Sequence, residues 1–284
     1  MAEPVKAALL QITSTDQPQD NLAMIRAMVA EAAGNGAGFV LTPEVSNCLS
    51  NSRAHQREVL RMQDEDAVLA GLRAQASELG IWLLIGSLGV KTGEADGRFA
   101  NRSFLIDPKG GIAAWYDKIH MFDVQVDAHE TYRESDGYRP GDRAVVAATP
   151  FGTVGMTICY DVRFPYLHRA LAKAGATILT APAAFSPVTG AAHWEPLQRA
   201  RAIETGCYVL APAQTGLHTR PGEKERRTHG HSLVVAPWGE VLLDMGTEPG
   251  IGYAEIDPAA VARARGRVPS LGHDRPFTLD SSAL

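Results

Sequence analysis

Apolar residues recur along this chain with two alternating periods. "KAALLQIT" (Lys6 to Thr13) and "GFVLTPE" (Gly38 to Glu44) are short apolar runs of strand length, the second ending on a carboxylate. Between them, "NLAMIRAMVAEAAGNG" (Asn21 to Gly36) spaces its apolar residues as an amphipathic helix does and is stopped by glycines. "DEDAVLAGLRAQASELG" (Asp64 to Gly80) repeats the helical pattern with acids in its first turn, where the helix dipole favours them. "IWLLIGSL" reads as a strand, and "NRSFLIDPKGGIAAWYDK" (Asn101 to Lys118) as a hairpin turning at Asp107 to Gly111.

The stretch "TVGMTICYDVRFPYLHRALAKAGA" (Thr153 to Ala176) reads as strand, sharp turn and helix. Val154, Met156 and Ile158 alternate, and Cys159 falls at the turn. Pro165 suits a first helical turn. Leu167, Ala170, Leu171 and Ala174 follow at helical spacing, with Gly175 near the end. "ATILTAPAAF", a helix in "AHWEPLQRARAIETG" and "CYVLAPAQ" resume the alternation, and "HSLVVAPWGEVLLDM" is a second hairpin turning at Pro237–Trp238–Gly239. The order predicts an α/β protein with mixed sheets. No linker or short repeat divides the chain, so residues 1–284 are expected to form a single domain. Only the tail from Arg263, "RARGRVPSLGHDRPFTLDSSAL", is expected not to pack on itself.

Composition narrows the partners. A net charge of -5 without a dense basic run gives no reason to expect nucleic acid. The longest apolar stretch, "IWLLIGSLGV", is too short to span a bilayer, and the first residues do not read as a secretory signal. The three cysteines, Cys48, Cys159 and Cys207, fit neither a zinc knuckle nor a redox pair, and a reducing cytoplasm is the expected home.

Three reactive groups fall at strand ends: Glu44, Lys118 and Cys159. In α/β sheets ligands collect beyond the carboxyl ends of strands, so the three could converge on one pocket. Cys207 reads as a small buried hydrophobe. Cys48 lies close enough to "PEVSN" to sit near the same pocket, with no role assigned. A zinc hydrolase built on His129, His193, His229 and His231 is an alternative, although "HGH" (His229 to His231) lacks a third ligand at recognisable spacing. An inactive relative retained for interaction is another.

"LTPEVSN", "YDKIHMFD" and "CYDVRFP" together resemble the motifs of the nitrilase superfamily of carbon–nitrogen hydrolases, and the likeness extends from about Lys6 to about Arg275. The resemblance implies a four-layer α-β-β-α sandwich and a catalytic triad of Glu44, Lys118 and Cys159. It adds a second glutamate, Glu134 in "RESDGYRPGD". It implies protomers paired through helix layers, with a C-terminal arm of about residues 263–284 reaching a partner subunit. "CYDVRFPYL", "PAAFSPVTGAAHWEPLQRARAIET" and "GHSLVVAPWGEV" look like the Nit-type amidases, a group that includes deaminated glutathione amidase and ω-amidase. The segment "DVQVDAHETYRESDGYRPGD" departs from both.

The implied enzyme is a thiol amidohydrolase without metal or cofactor. It cleaves the primary amide of a small carboxylate-bearing molecule to acid and ammonia, in the manner of deaminated glutathione amidase. An ω-amidase acting on 2-oxoglutaramate or 2-oxosuccinamate, or a carbamoylase, is the alternative. Cys159 would attack and Glu44 would serve as base. Lys118 and the backbone N–H of Tyr160 would hold the oxyanion, and Glu134 would orient Lys118 or the substrate amide. By the same resemblance Arg163, expected at the start of the helix after the nucleophile, would hold the substrate carboxylate, with pairing to Asp161 as its structural alternative. Phe185 and Thr189 would line the other side. An ordinary cysteine and glutamate differ by roughly 6 kcal/mol in proton affinity. Burial is therefore expected to raise Glu44, while the Lys118 charge and the helix N-terminus lower Cys159.

Overall fold

Alternate residues of the same strands face two different cores. Ala7, Leu9, Phe39, Leu41, Leu84 and Leu105 pack into one, whereas Ala8, Leu10, Val40, Leu83, Ile85 and Phe104 pack into the other. This period-two division buries both faces of a sheet. The computed structural model describes residues 2–126, 131–218 and 225–280. The first half runs β1 (Val5–Gln11), α1 (Pro18–Gly34), β2 (Phe39–Leu41), α2 (Arg53–Val59), α3 (Ala67–Leu79), β3 (Trp82–Lys91), β4 (Phe99–Ile106), β5 (Ile112–Asp117), β6 (Asp123–Gln125), β7 (Thr131–Arg133) and β8 (Tyr138–Arg139). The second runs β9 (Val145–Thr149), β10 (Gly152–Met156), α4 (Pro165–Lys173), β11 (Ile178–Thr180), α5 (Pro187–Thr205), β12 (Tyr208–Ala211), β13 (Thr215–Leu217), β14 (Arg227–His229), β15 (Leu233–Val235), β16 (Val241–Asp244), β17 (Gly250–Ile256) and α6 (Pro258–Arg267).

The first sheet has the order β17-β1-β2-β3-β4-β5, with β8 added on β4; the second has the order β16-β15-β12-β11-β10-β9. Helices α1 and α3 cover the outer face of the first sheet through Ile25, Val29, Leu69 and Leu72. Helices α4 and α5 bring Leu167, Leu171, Trp194 and Ala202 into the core shared with the second sheet. The layers are therefore helix, sheet, sheet, helix, as the resemblance implied.

Both hairpins turn where the sequence predicts. Helix α3 starts at Ala67 rather than Asp64, because the Asp66 side chain accepts from the Leu69 N–H and caps it there. Two expectations are corrected. Cys159 does not abut an α-helix: Cys159–Arg163 is a 3-10 turn, and α4 begins at Pro165. The tail also packs on its own chain, Asp274 included. Val261 and Ala264 are buried, Arg265 donates to the Ala176 carbonyl at 2.6 Å, and Arg169 and Lys173 hold Asp274. A short amphipathic pattern within "AVARARGR" made that helix hard to see among its arginines.

Candidate active site

Glu44 lies three residues beyond β2, Lys118 directly follows β5, and Cys159 lies three residues beyond β10. Two of these ends belong to the first sheet and one to the second, so the site forms at the seam between the sheets. The three side chains are brought together in the wall of one cavity of about 190 Å³.

The loop carrying Glu44 is fixed by a break in β3. Register with β4 shifts between Ile85 and Leu88. Gly86 there lets the Glu44 loop approach: a Cβ at that position would stand 1.9 Å from the Thr42 carbonyl oxygen. Ser87 Oγ accepts from the Val45 N–H at 2.8 Å, and the Ser46 N–H donates to the Ser87 carbonyl at 2.9 Å. Val45 and Cys159 hold φ values of 47° and 49°. Left-handed backbone costs an L-residue on the order of 1 kcal/mol, more for a β-branched one, and such strain collects at functional sites.

Lys118 Nζ donates to Glu44 Oε1 at 2.9 Å and to both oxygens of Glu134, at 3.0 and 2.8 Å. Glu44 Oε2 accepts the Ala184 N–H at 2.8 Å, and Glu134 Oε2 accepts the Phe122 N–H at 2.7 Å. Asn101, which sequence reasoning missed, donates through Nδ2 to Glu44 at 2.9 Å and to Glu134 at 3.2 Å. Its signal was a polar side chain within β4 that is itself buried. Glu44, Lys118 and Cys159 are all buried.

Burial alone would raise the Glu44 carboxyl. The Lys118 charge and hydrogen bonds from Lys118, Cys159 and Asn101 outweigh it, so the carboxyl is held below its ordinary value. Burial would lower Lys118, but the two glutamates hold its ammonium well above the ordinary range. Burial pushes the Cys159 thiol well up, and the Glu44 charge adds to this against the pull of Lys118. These directions reverse the expectation for Glu44 and Cys159. The ion pair with Lys118 beats desolvation at Glu44, and the thiol meets a carboxylate rather than an α-helix end. The resting site therefore holds a carboxylate, an ammonium and a neutral thiol.

Not every expected residue reaches the cavity. Tyr160 follows Cys159 in the 3-10 turn, with its ring against Phe122 and Phe164. Arg163 lies outside the cavity wall: it faces His193 Nδ1 at 3.3 Å and lies over the Tyr160 and Phe185 rings. A 3-10 turn has 3 residues per turn, so a residue four positions on points about 120° away, where an α-helix would have kept it nearly in line. Nor does Arg163 pair with Asp161, whose carboxylate is taken up by Tyr116 and His120. Phe185 packs on Trp194, and Thr189 donates to the Ser186 carbonyl; neither lines the cavity. Arg53, Arg133 and Arg226 do line it, as does Cys48. Cys207 is buried as expected. Among the described residues, the histidines weighed for zinc form no group of three or more metal-binding side chains. His193 faces Arg163, His229 stacks on His231, His231 pairs with Asp244, and His129 lies outside the described residues.

A buried glutamate, lysine and cysteine gathered from three strand ends can be compared with known proteins as a unit. Residues 6–266 match the family model for carbon-nitrogen hydrolases. A Yersinia enterocolitica protein named deaminated glutathione amidase is 40% identical over 94% of this chain and 92% of its own length. The crystal structure of the Caenorhabditis elegans NitFhit protein, 35% identical, superposes with a TM-score of 0.89 over 97% of this chain and 66% of that one. A Nesterenkonia amidase mutant is 26% identical, with a TM-score of 0.75, over 94% of this chain and 95% of its own. That mutant shows covalent addition of the acetamide moiety of fluoroacetamide at the active site cysteine. With the fold, the strand-end residues and the matched length in agreement, this chain belongs to the carbon–nitrogen hydrolase family and is a hydrolase of carbon–nitrogen bonds.

Proposed function

We propose that this hydrolase cleaves the amide of a small carboxylate-bearing molecule, of the deaminated glutathione type, through a thioester on Cys159. The observation that carries the reading is the ion group of buried Glu44 and Lys118 with half-buried Glu134, in the wall of the cavity that holds Cys159. Glu44 is ionised at rest, as a base must be, and hydrogen-bonds the thiol. Sγ attacks the carbonyl carbon while its proton passes to Glu44, so no free thiolate has to precede bond formation. Glu44 then protonates the leaving nitrogen as the C–N bond breaks. A water attacks the thioester, its proton goes to Glu44, and Glu44 returns a proton to sulfur. Negative charge on the carbonyl oxygen is met by Lys118 Nζ and the Tyr160 N–H, a donor pair of the kind worth roughly a hundredfold to a thousandfold per member. Glu134 fixes the ammonium through both its oxygens, and the hydrogen that Lys118 gives Glu44 at rest turns to the oxyanion once Glu44 has taken the thiol proton.

A substrate built on glutathione carries its scissile nitrogen within a peptide-like chain, so an amine leaves. The ammonia expected from the sequence belongs to terminal amides, such as those of the ω-amidase alternative. Arg53, Arg133 and Arg226 suit the substrate carboxylates, a task for which the planar guanidinium is fitted. The enzyme works in the cytoplasm as a homodimer or higher homo-oligomer. Support comes from three unpaired thiols and from Phe277 and Leu279, exposed at 89% and 87% on the C-terminal arm.

The test is acid quenching after mixing with a carboxylate-bearing amide. An acyl adduct is expected on the peptide containing Cys159, and Cys159→Ala should abolish turnover. Turnover by Cys159→Ala near the wild-type rate, or activity lost to a chelator and untouched by a thiol alkylator, would remove the thiol mechanism.

A further inference from the structure

A carboxylate outside the cavity ties the lysine loop to the nucleophile turn. Asp161 is fully buried. Its Oδ2 accepts from the Ile158 N–H at 2.9 Å and from the Tyr116 hydroxyl at 2.7 Å. Its Oδ1 accepts from the His120 N–H at 3.1 Å and meets His120 Nδ1 at 2.7 Å. The Tyr116 oxygen in turn accepts the Ile119 N–H at 3.2 Å. Burial and the nearby Asp161 charge push the Tyr116 hydroxyl well up, which keeps it a donor. Ile158 immediately precedes Cys159, while Tyr116, Ile119 and His120 flank Lys118 on both sides.

The connections join the two sheets, since Lys118 ends a strand of the first and Cys159 follows a strand of the second. They also bear on strain. Cys159 keeps its left-handed backbone between two hydrogen bonds, its own N–H to the Pro182 carbonyl at 2.9 Å and the Ile158 N–H to Asp161. His120 is held on its far side as well, stacked on Phe164 at 3.5 Å and 7° and hydrogen-bonded to Tyr166. A neutral His120 satisfies both contacts if Nδ1 carries the proton toward Asp161 and Nε2 accepts from Tyr166.

We infer that Asp161 and its donors Tyr116 and His120 are positioning residues that set the distance and angle between Cys159 Sγ and Lys118 Nζ. They touch no reacting atom. A misplacement of about 1 Å can cost about a hundredfold in rate without loss of binding, because attack and oxyanion capture must be satisfied together. This inference rests on the reading of Cys159 as nucleophile, and the experiment separates the two. Rapid quench with a slowly deacylated amide or ester measures both the amplitude and the rate constant of acyl-enzyme formation. In Asp161→Asn and Tyr116→Phe the rate constant is expected to fall at least about tenfold, with the amplitude per mole near wild type and KM within about twofold. Tyr116→Phe removes one hydroxyl and guards against a folding failure in Asp161→Asn. The double variant should lose less than the product of the single losses, because both act through one carboxylate. Wild-type rate constants in both variants, or losses explained by a smaller amplitude alone, would overturn the inference. No acyl-enzyme in the wild type would overturn the nucleophile reading, and this inference with it.

Discussion

The proton on Cys159 is held more tightly than on an ordinary thiol, and this is a stability statement as well as a mechanistic one. Burial and the Glu44 charge raise the folded-state value, whereas the unfolded thiol titrates near the ordinary value of 9.0. A raised folded value contributes stability that is complete below the unfolded value and is lost as pH rises above it, because the unfolded chain then releases a proton that the folded chain keeps. Between pH 8 and 10 this one thiol should remove about 1.4 kcal/mol of stability. Cys48, pushed up to about 12 by burial and the Asp16 charge, and the buried Cys207 act in the same direction. Urea unfolding of the wild type and Cys159→Ala at both pH values checks this: the alanine variant is expected to lose about 1.4 kcal/mol less over the interval. An identical loss in the two proteins would show that Cys159 ionises as readily folded as unfolded.

Among the elements, strands β1 and β2, both hairpins and helices α1, α3, α4 and α5 were legible, because each buries a periodic apolar face. The strand-end positions of Glu44, Lys118 and Cys159 followed from the same pattern, and their grouping from the motif resemblance. Two features were not legible. "CYDVR" has no apolar period, and its 3-10 geometry is set by Asp161 reaching back to the Ile158 N–H, a contact between residues too close in sequence to leave a hydrophobic trace. Arg163 was misplaced for that reason. The break in β3 was hidden inside a continuous apolar run, where Gly86 looked like an interruption. Its role is steric, and it yields an element-scale prediction. In Gly86→Ala the new methyl meets the Thr42 oxygen at 1.9 Å, the Pro43 oxygen at 2.5 Å and Pro182 Cβ at 2.6 Å. These are mostly backbone atoms, so a strand or the Glu44 loop must shift. Such overpacking costs about 1–3 kcal/mol. Calorimetry should show a lower Tm, and residual activity should fall further than stability alone explains. A wild-type Tm would mean that the close approach is not needed.

At the scale of the molecule, the chain closes its first sheet with its own last strand: β17 pairs antiparallel with β1 from Val5 against Ile256 to Gln11 against Gly250. Helix α6 follows directly, and Asp274 is tied back through Arg169 and Lys173. Beyond it Phe277 and Leu279 are spread into solvent, an arrangement of little use to a single subunit. If the arm lies on a partner, burying both side chains contributes about 2 kcal/mol each. Ending the chain after Arg275 should therefore leave the Tm within a few degrees of wild type at high concentration, since the described residues beyond it are all exposed. It should weaken the dimer at least about tenfold, given about 1.4 kcal/mol per decade. Light scattering across a dilution series measures the shift. A full-length protein that is monomeric throughout, or a shortened one that dissociates at the same concentration, would leave the arm without a partner.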